Sequence, residues 1–331
     1  MITLRKDRRL QGVAAVFAVL LLAPLGVHDT FYLRVITEAV MWIGLALAFD
    51  ALAGYTGYLN FGHQAFFGIG SYTTAVLMMK SGWPFPLAVA AGGVAAVVGA
   101  LVIGLPTLRL RGTYFAIATW ALARAIQQLA LVTNLVGGPG GIRLTAYLNP
   151  VFFFYVMLGL VGAIFFTLWF LLERAPFGLK LKAIREDQDS AKALGLNPTL
   201  LKNLAFIISA VPTALIGGVF AYWITYIDPG STLGDLVSDQ ALVMVIFGGM
   251  GTLVGPAIGA VLIFGFKTLF WAYLSAYEVL YTIVLGVVIA LTVVFLPNGV
   301  VGLFYRDRRG RNAPSLLRPK SGLSEPRGKE A

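Results

Sequence analysis

The 331-residue chain has no cysteine, only two histidines and few charges. Without cysteine there is no disulfide framework, no thiolate metal site and no cysteine nucleophile. His28 and His63 stand far apart and no His-x-x-x-His spacing occurs. The sequence therefore offers neither a zinc centre nor the nucleophile–base constellation of an intramembrane enzyme. Charged residues make up 12% of the chain, against roughly 25% in an average soluble domain. No G-x-x-x-x-G-K-[ST] pattern is present, so nothing here cradles nucleotide phosphates.

What is abundant is hydrocarbon. Hydrophobic residues reach 58% and the mean hydropathy is +0.83, which predicts an all-α polytopic membrane protein. Apolar runs mark spans at Leu10–Val27, Tyr32–Ala53, Phe61–Met79, Phe85–Leu105, Thr113–Thr133, Val151–Leu172, Leu201–Ile227, Thr252–Tyr273 and Tyr277–Leu296. A shorter run covers Leu236–Gly249.

The net charge of +10 maps to segment ends, so it reads as a topology signal and not as a nucleic-acid surface. Twenty of the 25 Lys and Arg residues fall in four clusters: the N-terminus, Arg109 with Arg111, the loop from Arg174 to Lys202, and the tail from Arg306. The positive-inside rule makes all four cytoplasmic. An even number of crossings must then separate the large loop from the tail. The short Leu236–Gly249 run supplies the missing one, as a helix that breaks into the next. This gives about ten transmembrane helices with both termini inside.

The domain reading follows: a basic N-terminus over 1–9, a transmembrane region over 10–304 with a cytoplasmic loop at 173–200, and a basic tail over 305–331. The first run reads as an uncleaved anchor, because no small-residue cleavage site follows it. The polar tail is expected to be disordered and attracted to anionic lipid.

Two stretches break the hydrocarbon. In GYTGYLNFGHQAFFGIGSYTTAVL (Gly54–Leu77), Gly54, Gly57 and Gly62 permit a bend, while Asn60, His63 and Gln64 supply donors and acceptors there. Irregular backbone at membrane depth is tolerated only inside protein or beside a watery cavity, and discontinuous helices build substrate paths in transporters. Asn60, His63 and Gln64 are thus candidates for lining or gating a path, the alternative being simple caps of a broken helix. Gly68, Gly70 and Ser71 suit close helix packing. In FGGMGTLVGPAIGA (Phe247–Ala260), Gly248, Gly249 and Gly251 mark a second break. Gly251, Gly255 and Gly259 read as a small-residue stripe down one helix face. Glu38, Asp50, Arg124, Lys267 and Glu278 are charges inside or beside spans.

In the cytoplasmic loop, Leu181, Ile184, Ala191 and Leu194 are spaced to line one face of short helices. Arg185, Glu186, Asp187 and Asp189 fall on the other surface. That pattern suits docking into a groove on a cytoplasmic partner. Asn197-Pro198-Thr199 reads as a break and restart.

Gly54–Leu77, Arg185–Asn197, FGGMGTLVGPAIGA and the closing LPNGVVGLF (Leu296–Phe304) together resemble the LivM-type permeases of branched-chain amino-acid ABC transporters. The resemblance runs from about Arg34 to Phe304. It implies a type II-like ABC importer fold, with a second, LivH-like permease subunit and two cytoplasmic ATPases. An extracytoplasmic binding protein would deliver Leu, Ile or Val across the bacterial inner membrane. ATP would be bound by the partner ATPases and the chain itself would hold no cofactor. The segment AKALG after IRED matches the family's ATPase-facing loop, implying coupling roles for Lys182, Arg185, Glu186, Asp187, Ala191 and Gly195. Family members often carry serine and leucine where this chain has Asn60 and Phe61, and a small residue in place of Gln64. Urea, short amides or other amino acids therefore stay open as substrates. The reading from another class is an ion-coupled transporter or channel using Asp50 and Glu38.

Overall fold

The computed structural model describes residues 29–274, together with 17, 19–24, 26, 286–287 and 299–302. Of the predicted spans, Tyr277–Leu296 lies almost wholly outside the described residues. The N-terminal one is described only in part, with residues 19–24 helical. The remaining eight each fall on a helix. They are α1 (Thr30–Thr56), α2 (His63–Ser81), α3 (Phe85–Thr107), α4 (Thr113–Val132) and α5 (Pro150–Leu168), then α8 (Pro198–Ile224), α10 (Leu236–Gly248) and α11 (Val254–Leu274). Between α5 and α8 lie α6 (Pro176–Glu186) and α7 (Gln188–Ala193), and α9 (Pro229–Leu233) precedes α10. Among the described residues α1, α3, α4, α5 with its π-helical extension to Arg174, and α8 are long and apolar enough to cross a membrane. The chain is an all-α, multi-pass membrane protein.

Sequence sets the helix ends. Asp29 accepts the Phe31 N–H to start α1, and Gly57, at φ +77°, stops it. Asn149 and Asn197 cap α5 and α8, each followed by proline at the first helical position. Helix α1 is buried on nearly every side from Val40 to Thr56, as a helix apolar all round must be. Helices α2 and α8 close on it. A Cβ on Gly70 would strike the Ala214 backbone and one on Gly217 the Phe67 carbonyl. The two backbones are thus in contact, and Ser71 Oγ donates to the carbonyls of both Phe67 and Gly217 at 2.8 Å. Helices α3 and α4 lie outside this core, and Val94, Val98, Val102, Leu122 and Leu129 face outward, as lipid-facing side chains do.

Two readings need correction. Gly251 is not on the glycine stripe: it sits in the turn between α10 and α11 at φ +80°, and the close approach is made by Gly255 and Gly259 against α10. Leu194 is 81% exposed, whereas Leu181, Ile184 and Ala191 are buried within the chain itself. Those three hold α6 and α7 onto the bundle and do not await a partner. At the end opposite the basic clusters, Ile142 and Arg143 pair antiparallel with Ile227 and Tyr226, a two-residue ladder with no alternation to announce it.

Candidate functional site

The second break packs against the last turns of α1, just before the first break begins. After Gly57 the chain leaves helical geometry until His63. Thr56 Oγ1 accepts the Tyr58 N–H and Asn60 Oδ1 accepts the Gly62 N–H, so side chains replace the missing helical bonds. In the second break Thr252 Oγ1 donates to the Gly249 carbonyl and accepts the Gly255 N–H. Asp50, fully buried on α1, reaches across and accepts the Gly251 N–H at 2.9 Å. Its other oxygen meets no partner among the described residues.

Helix α6 joins this junction from outside. Arg185 Nη1 donates to the Gly54 carbonyl at 2.5 Å and lies beside Gly251. Arg185 is exposed, as its assignment to the outer surface expects, yet one end of its guanidinium reaches the end of α1. Lys182 sits over the Tyr55 ring at 4.9 Å. A second bridge starts from α7. Gln188 Oε1 accepts the Tyr58 hydroxyl at 3.1 Å and Lys202 Nζ at 3.3 Å. Lys202 also donates to Tyr58 Oη at 3.1 Å and to the Leu108 carbonyl at 3.0 Å. Lys202 is only 2% exposed, so these bonds compensate the lost hydration of its ammonium.

The remaining loop residues divide by role. Asp187 caps α7 by accepting the Ser190 N–H at 2.6 Å. The bonds from Ser190, side chain and backbone, hold its carboxyl below the ordinary carboxylate range. Gly195, at φ +82°, ends α7: its N–H reaches the Lys192 carbonyl and that of Leu196 the Ala191 carbonyl. Ala191 packs inward, Glu186 is exposed, and Asp189 pairs with Arg111 at 3.1 Å on the surface.

A second polar cluster lies well inside the length of α4 and α8. His63 Nε2 is 2.7 Å from Thr213 Oγ1, near the middle of α8. The Thr213 proton is used on the Ser209 carbonyl at 2.8 Å. Protonated Nε2 is thus the tautomer that satisfies both, leaving Nδ1 bare against the Phe49 side of the core. Gln64 Oε1 accepts a short bond from Ser238 Oγ, and the Gln64 backbone N–H donates to the same Ser238 oxygen at 2.9 Å. Its amide also donates to Asp235 Oδ1 at 3.0 Å. Asp235 in turn pairs with Arg124, midway along α4, which donates to Gln127 at 2.7 Å as well. Gln127 continues to the Pro229 carbonyl at 3.0 Å.

The structure therefore places Asn60, His63 and Gln64 at one broken entry to α2 and ties Gly251 to α1 through Asp50, while Gly248 packs against Gly255 and Gly259 of α11. It does not bring the two sets into direct contact. Sequence reasoning missed Tyr58, Gln188, Lys202, Asp235 and Ser238. The only signal was Ser238-Asp239-Gln240 interrupting an apolar run. Among the described residues no group of acidic and histidine side chains could hold a metal ion.

With this geometry in view, the comparisons are informative. The family described as branched-chain amino acid transport system / permease component matches residues 31–293. The high-affinity branched-chain amino acid transport system permease proteins LivM of Salmonella typhimurium (strain LT2) and Escherichia coli (strain K12) are each 30% identical over 298 residues, covering 80% of this chain and 68% of the relative. The corresponding LivH protein of Escherichia coli (strain K12) is 27% identical over 285 residues, covering 78% of this chain and 90% of its own. No solved structure matches.

Proposed function

The chain belongs to the branched-chain amino acid transport permease family, and on that premise we propose that it forms half of the translocation path of an ATP-driven importer for Leu, Ile and Val. It is a transport subunit and not an enzyme. The other half is a LivH-like permease subunit. Two ATPases bind ATP on the cytoplasmic side and an extracytoplasmic binding protein delivers the substrate. The chain sits in the bacterial inner membrane with its basic clusters and both termini in the cytoplasm, and the basic tail lies against anionic lipid.

One observation carries the coupling reading: α6 and α7 are bonded directly to the broken segments. Arg185 holds the Gly54 carbonyl beside Gly251, and Gln188 holds Tyr58, four residues along from Gly54. A displacement of α6–α7 by a moving ATPase would pass straight into Gly57–Gly62 and the α10–α11 turn. Those segments have few helical bonds to break, so they are the inexpensive places to bend. Leu179 and Leu194, 74% and 81% exposed, are the apolar residues left for the ATPase to cover. Lys182, Glu186 and the caps at Asp187 and Gly195 present and shape that surface.

The test is purification from native membranes followed by reconstitution. An ATPase and a second permease should co-purify. Leucine uptake into vesicles should require ATP on the ATPase side and the loaded binding protein on the other. Uptake that persists without ATP and follows a proton gradient would refute the reading.

A further inference from the structure

On helix α4, Leu122 and Leu129 are exposed on one side, while on another Arg124 and Gln128 lie one turn apart and so adjacent on the helix surface, in a column that also carries the exposed Ile117 and Val132. Beside them, Asp239 is exposed on α10 one turn along from Asp235 and within electrostatic reach of both Arg124 and Asp235. In the Arg124–Asp235 pair the side chains are 41% and 24% exposed.

Depth makes this arrangement informative. Arg124 lies midway along α4, and Gln64, bonded to Asp235, follows the residue that bonds to the middle of α8. A partly open guanidinium and its carboxylate partners are costly to expose to lipid at such depth. Arg124 also lies more than two turns from either end of α4, too far to snorkel. Their exposed side must meet water or polar groups.

We propose that this face, Arg124 and Gln128 with Asp235 and Asp239, lines the translocation path and receives the charged ends of a zwitterion. Arg124 meets the carboxylate, and Asp235 or Asp239 the ammonium. This rests on the importer reading. The Arg124–Asp235 pair is a self-closed site: in the absence of substrate each charge satisfies the other. A zwitterion exchanges one ion pair for two. Net binding is weak for the same reason, which is what a path fed by a binding protein needs. Gln64 and Gln127 hold the two charged groups from behind through the bonds described above. The apolar pocket of about 210 Å³ bounded by Tyr72, Ile126, Leu129 and Leu233 is not part of this face. Ile126 lies about 160° round α4 from Arg124.

The absence of cysteine gives a clean test. Single cysteines at Gln128, Asp239 and, as control, Leu122 are introduced into the assembled transporter in vesicles. They are treated with a charged, membrane-impermeant methanethiosulfonate. Because only a hydrated thiolate reacts, Gln128→Cys and Asp239→Cys should label on the order of tenfold faster than Leu122→Cys. Labelling should slow when leucine-loaded binding protein and ATP are supplied. Equal rates at the three positions, or rates that substrate leaves untouched, would overturn the proposal. In parallel, Arg124→Gln with Asp235→Asn removes both charges and strands neither. Uptake should still fall by about tenfold or more, the worth of a charged hydrogen bond. Restored uptake would make the pair structural and overturn the proposal. Unmodified transporter assayed alongside separates the failures: no ATP-driven leucine uptake there refutes the importer reading itself.

Discussion

Asp187 and Gln64 show how residue roles separate once partners are known. Asp187 lies in the proposed coupling loop, where a charged contact with a partner and a helix cap predict different mutants. As a cap, Asp187→Asn should keep α7 intact and Asp187→Ala should not, because asparagine accepts the Ser190 N–H equally well. Amide hydrogen exchange at Ser190 and Ala191 reads this directly, and equal loss in both variants would favour the charge. The pH dependence has a definite sign. The folded-state carboxyl is depressed, so its contribution is complete above the unfolded value of about 3.9 and disappears as pH falls through the lower folded value. At Gln64 the expectation concerns stability. Gln64→Ala removes the side-chain bonds to Asp235 and Ser238, leaving the backbone bond to Ser238, and should cost about 1.5–3 kcal/mol. His63→Phe should cost less, since Thr213 keeps Ser209 and the ring still packs against Phe49. Thermal unfolding in detergent compares the two, and the reverse order would contradict the cluster. Asn60, His63 and Gln64 were legible because polar side chains inside hydrocarbon are conspicuous. Asp235 was not identified as their partner because nothing in a sequence links positions so distant. Lys202 was misread for a plainer reason: a basic residue at a span end looks like a topology marker.

At the scale of elements, the spans were legible because lipid demands long apolar helices, and the breaks because glycine and polar residues interrupt them. Packing partners were not. Gly70 announced a close approach, but only the structure identifies Ala214 on α8 as what it approaches. Gly251 looked like part of a helix stripe because spacing cannot tell a helix from the turn that precedes it. The α2–α8 contact gives a sharp expectation. Gly70→Val drives side-chain atoms into the Ala214 backbone, and neither helix can retreat from the core. Destabilisation should reach the upper end of the roughly 1–3 kcal/mol of ordinary overpacking, or exceed it. Gly159→Val, where a Cβ meets nothing, should be mild. Expression level and detergent-solubilised melting temperature distinguish them, and a tolerated Gly70→Val would mean that α2 and α8 separate more readily than their backbone contact implies.

For the whole molecule, the account rests on a mechanical connection between α6–α7 and the two breaks in the membrane bundle. Family membership gives a permease subunit, and the bonds from Arg185 and Gln188 are the proposed place where motion enters it. The most direct measurement is the ratio of leucine taken up to ATP hydrolysed by the reconstituted transporter carrying Tyr58→Phe. This change deletes one hydroxyl, the atom bridging Gln188 and Lys202, while Lys202 keeps its bonds to Leu108 and Gln188. The account predicts that uptake falls further than hydrolysis, so that less leucine moves per ATP. An unchanged ratio would contradict it and leave the Tyr58 bridge as packing alone.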